Sequence, residues 1–149
     1  MVALIAAYDP AKDQPETVAT ADELDAVLNQ AAEWGYRTLI EFRLAEPADG
    51  PAHQVALSVG LRGSTNQGTL IYSSSEGLWF GKATPGPEWA EAEPILYYFM
   101  SADTEYPPDS EIPAAVVRRA AHEFMTTGGQ RPEGPRWHTP PPWYPTPFQ

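Results

Sequence analysis

The sequence predicts an α+β fold: a mainly antiparallel meander sheet with two helices packed on one face. Two observations predict it. Between Thr38 and Lys82, short stretches of alternating polar and apolar residues follow one another across turn-length gaps, which is the spacing of strands joined by hairpins. On either side of this run, apolar residues recur at helical spacing, first after Thr20 and again after Pro113. The order strand, helix, strands, helix places both helices on one side of a single sheet.

The elements follow in order. Val2 to Tyr8 is short and apolar, a first strand, and Asp9 to Pro15 breaks it with two prolines. Thr20-Ala21-Asp22-Glu23 fits a capping box, in which Thr20 accepts from the backbone of Glu23 and Glu23 reaches back to Thr20. Leu24, Val27, Leu28, Ala31 and Trp34 then form one apolar helix face, and Gly35 is a natural stop. Thr38 to Leu44 alternates, with Leu39, Glu41 and Arg43 opposite Ile40, Phe42 and Leu44. Glu46 to Pro51 is a turn cluster. His53 to Leu61 is the next strand, with Val55, Leu57, Val59 and Leu61 in register. A polar loop, Gly63 to Gly68, leads to a strand at Thr69–Tyr72, a turn at Ser73–Gly77 and a strand at Leu78–Lys82.

Thr84 to Pro94 is a loop rich in Pro and Glu, and Ile95 to Met100 is a continuous apolar run expected to be a central strand. An acidic, proline-bearing turn follows. Pro113 suits the first position of the second helix, where its missing N–H costs nothing. Val116, Val117, Ala120 and Phe124 make that helix's apolar face, Arg118, Arg119 and His122 lie off it, and Gly128 or Gly129 ends it. We expect one domain over residues 1–133 and an extended tail over 134–149, where six prolines sit among Trp137, Trp143, Tyr144 and Phe148. Pro141-Pro142-Trp143-Tyr144 matches the short pattern that WW domains bind, and the same rings suit docking on the protein's own sheet.

Composition narrows the function. The chain has 149 residues with a formal net charge of -11, which argues against direct binding of nucleic acid or an anionic membrane. With no Cys there is no disulfide, thiolate metal ligand or thiol nucleophile. The apolar start meets Asp9-Pro10 before a signal-peptide core forms, and no run reaches the roughly 20 apolar residues of a membrane span; a cytoplasmic location is expected. His122-Glu123 opens like a metalloprotease helix, but Thr126 stands where the second His belongs. No nucleophile elbow, phosphate loop or deaminase signature occurs. We expect no catalytic, cofactor or metal site, and a non-enzymatic role.

The charge is uneven. No Lys or Arg lies between Lys82 and Arg118, while Glu88, Glu91, Glu93, Asp103, Glu105, Asp109 and Glu111 all do. Like charges held together destabilise an isolated fold, and a basic partner would relieve them. Solubility alone is the competing explanation. Trp89, among Glu88, Glu91 and Glu93, and Tyr106, after Glu105, are candidate interface anchors; either ring fits equally well folded over its own sheet. Trp79 fits the core or the outer sheet face.

In order along the chain, these segments resemble the first-numbered family of immunity proteins from bacterial polymorphic toxin systems, seen often in actinobacteria. Val55–Leu61 with Gly68-Thr69-Leu70-Ile71-Tyr72 is similar to that family's central hairpin, and Trp79 to its characteristic aromatic position. Asp103-Thr104-Glu105-Tyr106-Pro107, leading through Pro113 to Arg118-Arg119-Ala120, is similar to its C-terminal half, and Gly128-Gly129 to its Gly-Gly motif. The resemblance covers roughly Leu24 to Gly129 and implies a small α+β protein that binds and neutralises a toxin, commonly a nucleic-acid deaminase. Two alternatives stay open: an acidic adaptor or chaperone for a secreted basic effector, and a small hydrolase using a carboxylate pair.

Overall fold

The computed structural model describes residues 2–45, 55–63, 65–86, 88–100 and 102–144. The turn expected at Glu46–Pro51, His53 and Phe148 lie outside them. The elements are β1 (Leu4–Ala7), β2 (Glu16–Val18), α1 (Ala21–Glu33), β3 (Arg37–Leu44), β4 (Ala56–Arg62), β5 (Gln67–Ser74), β6 (Gly77–Gly81), β7 (Ile95–Phe99), β8 (Ala102–Tyr106), β9 (Ile112–Pro113), α2 (Ala114–Thr127) and β10 (Trp137–His138). The main sheet runs β10-β6-β5-β4-β3-β1-β2, and the four strands β3 to β6 form the expected antiparallel meander. Among the described residues no helix is long and apolar enough to cross a membrane.

Both helices pack on one face. α1 lies against β3 and β4, α2 against β4 and β5, and the two touch each other. The capping box at Thr20 and Glu23 is complete, with both hydrogen bonds formed. Strand alternation sorts the side chains. Ile40, Phe42, Leu57, Val59, Leu61, Leu70 and Tyr72 meet Leu24, Leu28, Val117 and Phe124 from the helices. Leu39, Ile71 and Phe80 point the other way, into a second cluster with Tyr97 and Tyr106.

The segment after the loop departs from expectation. β7 is not central: it pairs in parallel with β3 only at Thr38↔Tyr98 and otherwise forms a hairpin with β8. Its continuous apolar run hides an alternation in which Tyr97 is buried while Leu96 and Tyr98 stand exposed. The acidic turn is itself largely the strand β8, with Tyr106 buried and Asp103 and Glu105 facing out. Seated on the underside of the sheet, this hairpin covers the face that the helices leave open. Gly60 makes that possible, since a Cβ there would lie 2.4 Å from Thr69 and 2.7 Å from the Tyr97 ring. Pro113 also sits one place earlier than expected, as the residue before the first helical turn and in β9. The backbone N–H of Ala114 is satisfied by Asn66 O at 2.8 Å.

α2 ends at Gly128, whose φ of 76° is left-handed. Gly129 follows at φ 99°, where a Cβ would approach Val55 to 2.8 Å, and its carbonyl accepts the buried Tyr72 hydroxyl at 2.8 Å. Space beside Gly128 is open apart from Val2 at 3.7 Å, so its cost of substitution is backbone strain. Gly128→Val is expected to lose about 2 kcal/mol, seen as a Tm lower by roughly 5 °C. Gly129→Ala adds a clash to the strain and should lose more; an unchanged Tm in either variant would refute the argument.

Candidate partner-binding surface

The acidic interval divides once it is folded. Glu88, Glu91, Glu93, Asp103 and Glu105 are exposed, and none is in an ion pair among the described residues. Asp109 and Glu111 are different. They lack a cation only along the chain; the fold supplies one from elsewhere. Glu111 accepts from Arg62 at 3.1 Å and from the Tyr97 hydroxyl at 2.8 Å, with Arg37 Nε 3.7 Å away. Burial, reinforced by the bond to Glu111, pushes the Tyr97 phenol well above its ordinary range, so the hydroxyl stays a donor at physiological pH.

Asp109 meets Lys82, which is almost wholly buried. Lys82 Nζ donates to the Thr84 carbonyl at 2.9 Å and the Thr84 hydroxyl at 3.0 Å, with Asp109 Oδ2 at 3.2 Å. The Thr84 hydroxyl in turn donates to Asp109. The ammonium also lies 5.5 Å from the centre of the Trp89 ring, a cation–π distance. A buried ammonium with its donors so engaged is structural. It ties the start of the acidic loop to the turn before α2.

The two proposed anchors also lie deeper than a surface ring would. Tyr106 is completely buried. Its ring packs 5.4 Å from Tyr97 and edge-on to Phe80 at 5.5 Å, so it belongs to the second core and not to the surface. Trp89 is half-buried over the same Phe80, at 5.9 Å, and its indole N–H donates to Thr139 O at 3.1 Å. Phe80 thus carries three edge-on rings, the third being Tyr144 at 4.9 Å. The alternation of Thr104 and Tyr106 with Asp103 and Glu105 was present in the sequence, but the register that sets Tyr106 opposite Ile95 was not.

The tail is part of this assembly as far as Tyr144. Trp137 and His138 pair with Gly81 and Phe80 of β6, and the Lys82 N–H reaches Arg136 O at 2.8 Å. Trp143 remains exposed. Trp79 is half-buried on the helix side, 6.1 Å from Tyr72, with the Arg131 guanidinium 4.9 Å over its ring. Gly128 and Gly129 close α2 on that same face.

Sequence reasoning missed the outer face of the β7–β8 hairpin. Leu96 is paired with Glu105 and Tyr98 with Asp103, so two apolar side chains stand exposed next to two carboxylates. Tyr36 adds its ring edge-on to Tyr98 at 5.9 Å. Residues 95–99 are all apolar, so the alternation of burial along them left no mark in the sequence.

A cleft of about 490 Å³ near the N-terminus contains Asp9, Glu16 and Glu23. Glu16, however, accepts from Tyr8 and Lys12, and Glu23 is consumed by the capping box. Among the described residues no three His, Asp or Glu side chains are placed to hold a metal ion. His122 bonds Asp25 of α1 at 2.7 Å, between the helices.

Glu111 is the carboxylate most engaged in holding the underside together. Glu111→Ala strands the Tyr97 hydroxyl and leaves the Arg62 guanidinium and the buried Arg37 Nε without it. The expected loss is about 2 kcal/mol in chemical denaturation. Glu111→Gln, which keeps an acceptor for Tyr97, should lose about half as much.

No curated protein matches the sequence. A family model does: immunity protein Imm1, over residues 12–139. The matched span takes in both helices, the whole meander, the β7–β8 hairpin and the Gly128-Gly129 stop. The chain belongs to the Imm1 family of immunity proteins.

Proposed function

We propose that this immunity protein neutralises a polymorphic toxin, a nucleic-acid deaminase acting in the cytoplasm, by covering the toxin's basic cleft with an acidic surface. One observation carries the mechanism. Five carboxylates, Glu88, Glu91, Glu93, Asp103 and Glu105, stay exposed and without an ion pair among the described residues in a chain of net charge -11. An enzyme that grips DNA or RNA needs a basic cleft. An acidic protein occupies such a cleft in place of the phosphates and is steered to it by the same field. The deaminase target follows from what the family resemblance implies.

The protein's part in this reading is binding and occlusion, with no chemistry. Asp109 and Glu111 shape the acidic surface through their bonds to Lys82, Arg62 and Tyr97. Trp89 is half-buried and Tyr106 buried, both packed on Phe80.

The first test is co-expression with the toxin encoded beside this chain. Rescued growth together with a co-purifying complex supports the reading; binding without rescue turns it into that of an adaptor. For the surface, the double variant Asp103→Lys, Glu105→Lys should slow association by roughly tenfold at low salt. Its Tm should stay within about 2 °C, since both side chains are exposed. Unchanged association kinetics would refute steering by this surface.

A further inference from the structure

An exposed apolar stripe runs from Tyr36, which stacks on Trp34, onto the outer face of the β7–β8 hairpin. Tyr36, Tyr98 and Leu96 are 50%, 46% and 44% exposed. They adjoin one another: Tyr36 meets Tyr98 edge-on, and a groove of about 340 Å³ runs between Tyr36, Tyr98 and Leu96. Arg37 and Arg62 line the same groove. Single exposed apolar residues are ordinary, but a contiguous aromatic group rimmed by charge is the make-up of a binding surface.

The hairpin tip adds an independent mark. Met100 has a φ of 50°, the left-handed region that glycine or asparagine occupies cheaply at such turns. A long apolar side chain is held there, still 37% exposed. Strain of this kind persists where a side chain is wanted at that point.

We infer that Tyr36, Leu96, Tyr98 and Met100 form the apolar centre of the toxin interface, with Asp103 and Glu105 as its charged rim. This rests on the immunity reading above and deepens it by naming the contact that holds the complex once steering has formed it. Charge selects the occupant. A second copy carries the same net charge of -11, and repulsion between two such chains opposes self-association. A toxin surface that places an apolar side chain in the groove, and basic residues on the side of Asp103 and Glu105 rather than against Arg37 and Arg62, satisfies both parts. The two kinds of residue divide the kinetics: the carboxylates govern association, and the buried rings govern dissociation.

The test is surface plasmon resonance of the full chain against the catalytically inactive toxin domain, with Tm measured for every variant. Tyr98→Ser and Leu96→Lys should each raise the dissociation rate at least roughly thirty-fold while changing association less than about threefold. Met100→Gly should weaken binding without lowering Tm, which separates lost contact from lost fold. Trp143→Ser, an exposed ring elsewhere, should bind like the wild type. If the wild type binds and protects while the Leu96, Tyr98 and Met100 variants dissociate normally, the inference fails and the immunity reading stands. If the wild type neither binds nor protects, both fail. Concentration-dependent dimerisation of the free chain that Leu96→Lys abolishes would give the stripe to a second copy and overturn the inference.

Discussion

The ring of Tyr97, seated against Gly60 on the side of the sheet opposite the helices, is the contact on which the lower half of this molecule depends. A sheet whose strands alternate apolar residues to both faces must be covered twice, because apolar area left in water costs about 25 cal/mol per Å². The two helices cover one face only. The β7–β8 hairpin, the acidic loop and the tail cover the other, each placing a ring near Phe80: Tyr106, Trp89 and Tyr144. The hairpin's course below the sheet, its single parallel contact with β3 and the exposure of its outer face all follow from that demand.

Charge is distributed by the same geometry. An interval of the chain without a cation is not a region of space without one. Arg37 and Arg62 come from β3 and β4, and Lys82 from the end of β6, and they meet the two carboxylates that lie closest to the second core. The other five acidic residues stand where solvent or a partner can reach them. The fold therefore spends two carboxylates on its own structure and keeps the rest outside, with an apolar stripe next to Asp103 and Glu105.

Legibility in the sequence followed the range of the interaction. The capping box, the stops at Gly35 and Gly128, both helix faces and the alternation of β3 to β5 were readable, because each depends on residues within a few positions of one another. The family resemblance rested on the order of a partly different set: Val55–Leu61 with Gly68–Tyr72, Trp79, Asp103 to Pro107 leading to Arg118-Arg119-Ala120, and Gly128-Gly129. The short strands β2, β9 and β10 were not readable; two or three residues become strands only because a partner strand lies beside them. Tyr106 could be read as a surface anchor or as a ring folded over its own sheet for a similar reason, since its charged neighbours point one way and it points the other.

By itself the sequence determined the fold class, the positions of both helices, the net charge and the lack of any cysteine chemistry, all properties of composition and local period. Tertiary structure alone decided which carboxylates are free, which rings are exposed and where the hairpin of residues 95–106 lies. Those outcomes depend on contacts between residues such as Arg62 and Glu111, or Phe80 and Tyr144, 49 and 64 positions apart. No local pattern encodes such a pair; it exists only once the sheet has brought both members to the same place.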